Sequence, residues 1–205
     1  MTGQPPPLRE QDVDADPIRQ FAAWFAQAQG AGVPAPEAAA LATADADGAP
    51  SVRMVLVKAA DERGFVFYTN YESRKGRELT HNPRAALMFY WSPVGRQVRV
   101  TGPVARTTAE ESAAYIRPRG RGSQVSALAS PQSRPIDSRG ALERRVADLK
   151  DRYGDSELPL PAAWGGFRLS PDTIEFWQNR DDRLHDRLLY TRRPDGTWQR
   201  QRLAP

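Results

Sequence analysis

Apolar residues recur at Ile18, Phe21, Ala22, Phe25 and Ala28, the three- and four-residue spacing of one helical face, until Gly30 and Gly32 interrupt the pattern. Asp16 stands where an N-cap belongs and Pro17 where a first helical turn accepts proline. From residue 38 to residue 106 the period changes. Short apolar runs alternate with turn residues at Asp47-Gly48, Glu62-Arg63-Gly64, Asn82-Pro83 and Pro93-Val94-Gly95, which predicts an antiparallel sheet or barrel. Residues 38–43 have helical propensity, yet they precede Asp47-Gly48 and a strand over 52–57, so they read as its hairpin partner. Thr108 and Glu111 match a capping box before a helix through Tyr115. Ser138 opens a longer helix with Leu142, Val146, Leu149 and Tyr153 on one face. After Pro159-Leu160-Pro161, strand patterns return at 167–169, 174–177, 188–191 and 198–203. Residues 1–15 mix proline with charge and show no period, which predicts a mobile N-terminal arm. Residues 16–205 then form one domain, mainly β, a barrel with helices around it.

Composition narrows the chemistry. A chain of 205 residues, 40% hydrophobic and 26% charged, can bury a core and is not a disordered or fibrous sequence. It contains no run of roughly 18 apolar residues, and the start Met1-Thr2-Gly3-Gln4-Pro5-Pro6-Pro7 lacks the basic and apolar regions of a signal peptide, so a cytoplasmic protein without a membrane partner is expected. The absence of cysteine removes disulfides, thiolate nucleophiles, iron–sulfur ligation and cysteine zinc sites, and His81 and His185 are too few for a histidine-rich metal site. Lysine occurs only at Lys58, Lys75 and Lys150, so the rest of the 29 basic residues are arginine, suited to bidentate binding of carboxylate or phosphate. The basic residues are scattered among 25 acidic ones rather than gathered in a stripe, which ranks nucleic-acid binding last.

Four segments carry candidate chemistry. In Asn70-Tyr71-Glu72-Ser73-Arg74-Lys75-Gly76, Ser73 can cap a helix whose free N–H groups attract an anion beside Arg74 and Lys75; two solvated cations at a helix start fit the same residues. In Arg53-Met54-Val55-Leu56-Val57-Lys58, the terminal cations point to opposite faces of a regular strand, and a bulge or different ligand groups would be needed for both to act. Tyr115, Arg119 and Ser123 are spaced by four, a phenol, guanidinium and hydroxyl suited to a phosphate ester, although Pro118 and two glycines oppose a continuous helix. Arg183, His185 and Arg187 would line one face if their segment is extended, either against an anion or as a charged edge strand.

Taken in order, these segments resemble the pyridoxine/pyridoxamine 5′-phosphate oxidase family. The resemblance runs from about Asp16 to Pro205 through R-M-V-L-V-K at 53–58, F-Y-T-N at 67–70, S-R-K-G at 73–76, R-P-R at 117–119, W-G-G-F-R at 164–168, E-F-W-Q at 175–178, R-L-H-D-R at 183–187 and the terminal R-L-A-P. It implies an FMN-binding split β-barrel, homodimeric, with FMN at the subunit interface. Arg53, Met54, Val55, Leu56, Val57, Lys58, Tyr68, Thr69, Arg74, Lys75, Gln97, Gln132, Ser133, Trp177 and Arg187 would then contact FMN. Lys58, Tyr115, Arg119 and Ser123 would hold the substrate phosphate, and Arg183 and His185 would lie over the substrate ring as the catalytic pair. The implied reaction oxidises pyridoxine or pyridoxamine 5′-phosphate to pyridoxal 5′-phosphate with dioxygen. Alternatives are a related flavin oxidase acting on a substrate such as a phenazine precursor, and a non-catalytic flavin or pyridoxal-phosphate binding protein. The chain departs from the family pattern in lacking a tyrosine before Tyr68, in having Asn179-Arg180 after Trp177-Gln178, and in lacking a tryptophan around Ser126-Ala127-Leu128.

Overall fold

The computed structural model describes residues 6–205. Strands β1 (Ala38–Ala44), β2 (Pro50–Asp61), β3 (Gly64–Asn70), β4 (Arg84–Trp91), β5 (Arg96–Arg106) and β6 (Trp164–Leu169) pair in the order β4-β1-β2-β3-β6-β5, and β5 returns to β4. Six antiparallel strands therefore close a barrel, which leaves no open edge in the ring. Strand β5 is shared. Its residues from Arg96 to Thr101 pair with β4 on one side and with β7 (Thr173–Gln178) on the other, while Val104 to Arg106 turn to β6. Strands β8 (Asp186–Arg192) and β9 (Trp198–Arg202) extend the sheet beyond β7.

The alanine-rich β1 is a strand because tertiary packing overrides propensity: Ala39, Leu41 and Thr43 are buried at every second position while the strand bonds β2 on one side and β4 on the other. Helix α1 (Pro17–Gly30) starts as the sequence predicts, with the Asp16 carboxylate accepting the Ile18 N–H at 2.9 Å. It lays Phe21 against Phe65 and Phe89, with ring centroids 4.9 Å apart in both pairs, and Trp24 against Phe176 at 5.1 Å. These rings, with Phe67, Trp91 and Leu87, form the core. Among the described residues no helix is long and apolar enough to cross a membrane.

Helix α2 (Arg74–His81) is capped by Ser73, whose side chain accepts the Gly76 N–H. Gly76 is required there, since a Cβ would stand 2.2 Å from the Tyr71 carbonyl oxygen. Gly76→Ala is expected to destabilise the fold by about 1–3 kcal/mol through overpacking, seen as a lower urea midpoint at unchanged slope. Helix α3 (Ala109–Ile116) carries the predicted capping box of Thr108 and Glu111. Helix α4 (Arg121–Ala129) follows after a break at 117–120, so Tyr115, Arg119 and Ser123 do not share one continuous helix. Helix α5 (Arg139–Tyr153) starts after its Ser138 cap, and its apolar face is only half-buried.

Two expectations are corrected. Residues 183–187 are not one extended row: Asp181–Arg183 form a 3₁₀ turn in which Asp182 and Arg183 have φ of 53° and 61°, and β8 begins only at Asp186. The ordered structure also begins before Asp16. Leu8 is buried, its N–H donates to Asp186, and Arg202 binds both the Leu8 carbonyl and Glu10. Residues 1–5 of the predicted arm lie outside the described residues.

Candidate functional site

The residues singled out by sequence gather into three groups, and the densest surrounds the start of α2. Lys75 is buried, and its Nζ lies 3.1 Å from Thr69 Oγ1, 3.0 Å from Gln132 Oε1 and 3.4 Å from Ser73 Oγ. Burial, reinforced by the nearby Arg53 charge, pulls its pKa down to about 8. Arg53 reaches the same region from β2. It donates to Thr43, Ser51 and the Leu41 carbonyl and pairs with Glu78 at 3.2 Å, while Arg74 pairs with Glu78 at 2.8 Å. Burial would raise the Glu78 pKa, but hydrogen bonds from Ser51, Thr43, Arg74 and Arg53 hold it at about 2. Three cations, one carboxylate and a helix N-terminus leave a net positive cradle suited to a phosphate.

Gln132 joins this cradle to the second group. It is delivered by a turn closed by the Arg134 N–H on the Pro131 carbonyl at 3.0 Å, with Ser133 at a φ of 68° in a position that favours glycine or asparagine. A cavity of about 380 Å³ beside it is lined by Asn70, Arg119, Gly122, Ser123, Ser126, Ala127, Ser130, Gln132 and Trp164. Tyr115 is stacked on Tyr68 with centroids 3.8 Å apart and planes 3° from parallel, and the ring of Trp164, which lines the cavity, is nearly parallel to both. Arg119 lies over Tyr115 and Trp164 at 5.7 and 5.5 Å. No carboxylate pairs with Arg119 among the described residues, so its charge is available to the cavity.

The third group sits on the outer sheet. Gln97, Trp177 and Arg187 occupy matching register positions on β5, β7 and β8. The His185 ring lies 4.6 Å from that of Trp177, and its Nδ1 accepts the Arg180 N–H at 3.2 Å, so the neutral ring carries its proton on Nε2. Arg187 grips the buried Glu175 at 2.9 Å and donates to the Ala204 carbonyl. Arg183 is exposed and has no ion-pair partner among the described residues.

Not every expected residue joins a group. On β2, Met54 and Leu56 are exposed, Val55 is half-buried and Val57 is in the core. The register of β2 shifts between Val57 and Ala59, the irregularity the sequence required if Lys58 was to leave the opposite face. Within this chain Lys58 nonetheless pairs with Glu37 at 3.5 Å, and it lines a different cavity from Arg119 and Ser123. Sequence reasoning missed Glu78 and Trp164. Glu78 follows Arg74 by four on a helix, a readable ion-pair signal, but its reach to β1 and β2 is tertiary.

Comparison with known proteins places these groups in context. Residues 25–153 match the family profile described as pyridoxamine 5′-phosphate oxidase, and residues 164–205 match the pyridoxine 5′-phosphate oxidase C-terminal dimerisation region, which indicates a homodimer. The pyridoxine/pyridoxamine 5′-phosphate oxidase of Rubrobacter xylanophilus is 57% identical over 198 residues, covering 97% of this chain and 91% of that protein. The protein of the same name from Salinibacter ruber is 54% identical over 200 residues, covering 97% and 93%. Among solved structures, PhzG from Burkholderia lata 383 in complex with tetrahydrophenazine-1-carboxylic acid superposes with a TM-score of 0.92 at 35% identity, covering 99% of this chain and all of that one.

Proposed function

The chain belongs to the pyridoxine/pyridoxamine 5′-phosphate oxidase family, and from that premise we propose that it binds FMN and oxidises pyridoxine 5′-phosphate and pyridoxamine 5′-phosphate to pyridoxal 5′-phosphate. The observation that carries this reading is the pair of anion-ready positions bridged by Gln132. The α2 cradle suits the flavin phosphate, and the Arg119–Ser123 cavity suits the phosphate of a second, smaller ligand. The donor set around Lys75 fits FMN: one ammonium, two guanidiniums and the hydroxyls of Thr69 and Ser73 converge at a helix N-terminus. Bound FMN supplies the two-electron acceptor and returns the electrons to dioxygen as hydrogen peroxide. The alcohol substrate loses two hydrogens to give the aldehyde; the amine loses two hydrogens and then exchanges nitrogen for water, releasing ammonia.

This chain's residues bind and orient. Arg119 and Ser123 anchor the substrate phosphate away from the reacting carbon, so unphosphorylated vitamers are poor substrates. Arg183 and His185 cover the substrate ring, His185 offering its Nε2 proton to the ring hydroxyl. They come from the turn between β7 and β8, and in this reading they serve the cavity across the homodimer, as does Lys58. An exposed apolar row supports that assembly: Met54 and Met88 flank Ala40 across three strands, with Val52, Leu56 and Tyr90 beside them.

A pH dependence follows from Lys75. A bound phosphate favours its charged form, so its pKa rises from about 8 on binding and a proton is taken up. FMN affinity is expected to fall as pH rises through 8, which fluorescence titration from pH 7 to 10 measures.

The deciding experiment mixes FMN-loaded protein anaerobically with each substrate, follows the oxidised-flavin absorbance, then admits oxygen and assays pyridoxal 5′-phosphate. Bleaching, recovery and product support the reading; a bound flavin that neither substrate bleaches overturns it. The similarity to PhzG favours a second reading, oxidation of a phenazine precursor, for which the same mixing with a reduced phenazine carboxylate is the test.

A further inference from the structure

We propose that Glu78 is a positioning residue that gives the flavin site its preference for a phosphorylated flavin, by holding Arg53 and Arg74 in the geometry that grips the phosphate. The inference rests on the assignment of FMN to the α2 cradle. Glu78 is 5% exposed, and both carboxylate oxygens accept hydrogen bonds. Oε2 accepts from Thr43, from Ser51 at 2.6 Å and from Arg53 at 3.2 Å, while Oε1 accepts from Arg74 at 2.8 Å. One carboxylate thus joins a guanidinium from β2 to a guanidinium from α2 and fixes both to the β1–β2 hairpin.

Arg74 has a side chain 59% exposed and would otherwise sample many rotamers, whose freezing would weaken phosphate binding. A tether made before the ligand arrives removes that cost. The tether has an opposing effect, because its negative charge subtracts from the field of the three cations. The two effects give opposite signs for the loss of Glu78. We assign the larger to geometry, because the two guanidiniums come from different elements and, among the described residues, Glu78 is the carboxylate that bonds both.

The test measures FMN and riboflavin affinities side by side on flavin-stripped protein by fluorescence quenching. Glu78→Gln keeps the shape but places an NH₂ group against hydrogen-bond donors. FMN dissociation is expected to rise about tenfold, the scale of a charge-assisted hydrogen bond, with riboflavin unchanged. Equal weakening of both flavins would make Glu78 merely structural, and unchanged or tighter FMN binding would give the charge effect the upper hand; each overturns the proposal. If Glu78→Gln fails to fold, Thr43→Val removes, at constant shape, a hydroxyl that donates to the carboxylate and accepts from Arg53, and so loosens the same tether. It should lower the FMN-to-riboflavin preference in the same direction, and no change in that preference overturns the proposal. A wild-type protein that binds both flavins equally would overturn the placement of FMN at α2 itself, an outcome distinct from a preference that survives in Glu78→Gln.

Discussion

Arg183→Leu is expected to leave FMN bound while lowering turnover of both B6 phosphates by about 100-fold or more, the scale for removing one preorganised donor at a reacting centre. Arg183 lies outside the α2 cradle and outside the β5–β7–β8 group that Arg187 and Glu175 lock together, so flavin content should not depend on it. Its guanidinium has no ion-pair partner among the described residues and stands on a turn fixed by the Leu184 N–H on the Asp181 carbonyl and the Arg180 N–H on His185. A cation held on a built turn with nothing to neutralise it is suited to an electron-rich ligand. A guanidinium offers a planar fork of donors and no acceptor, so its part is orientation and charge stabilisation. The left-handed φ of 61° adds a reason for leucine over glycine as the test, since a flexible replacement would also loosen the turn. Flavin absorbance gives cofactor content and the anaerobic bleaching rate gives the chemical step. Unchanged bleaching would remove Arg183 from the mechanism.

The parts of this molecule that depend on neighbours in sequence were legible from sequence. Asp16, Ser73, Thr108 with Glu111, and Ser138 all cap the helices they were expected to cap, because a cap is a contact over two or three residues. The hairpin of β1 was readable from the turn that follows it, although alanine itself argued otherwise. What depends on distant neighbours was not legible. Residues 6–15 have no period because their order comes from Arg202, Asp186 and Gln178, more than 170 positions away. The four-residue spacing of Tyr115, Arg119 and Ser123 suggests a common site although Pro118 and two glycines oppose one continuous helix, and the three do lie near one another. They do so across a helix break and through Trp164, whose ring packs on Tyr115 and under Arg119. Lys58 was assigned to the same phosphate by resemblance, yet in the single chain it pairs with Glu37 and lines a different cavity. Glu78 escaped notice because a carboxylate among arginines reads as an ordinary surface pair until β1 and β2 are seen to bury it.

Arg74→Ala combined with Lys75→Ala is expected to produce a folded protein that purifies without flavin. The fold should persist because neither side chain belongs to the apolar core, and Glu78 retains Arg53, Ser51 and Thr43 as partners. Removing Lys75 also relieves a buried cation whose lowered pKa records an unfavourable environment in the absence of an anion. Stability alone would not explain why a lysine is kept there; an anion that recovers the lost solvation would. Each substitution deletes a charge-assisted contact to phosphate, and Lys75 further orients Thr69 and Gln132. Two such contacts are each worth about tenfold or more in affinity. Their joint loss should exceed a hundredfold, because of the three cations of the cradle only Arg53 then remains. The measurement is the ratio of flavin to protein absorbance after purification, with thermal unfolding as the control for the fold. A folded double variant with normal flavin content would move the phosphate away from α2 and leave the cationic cradle without its ligand.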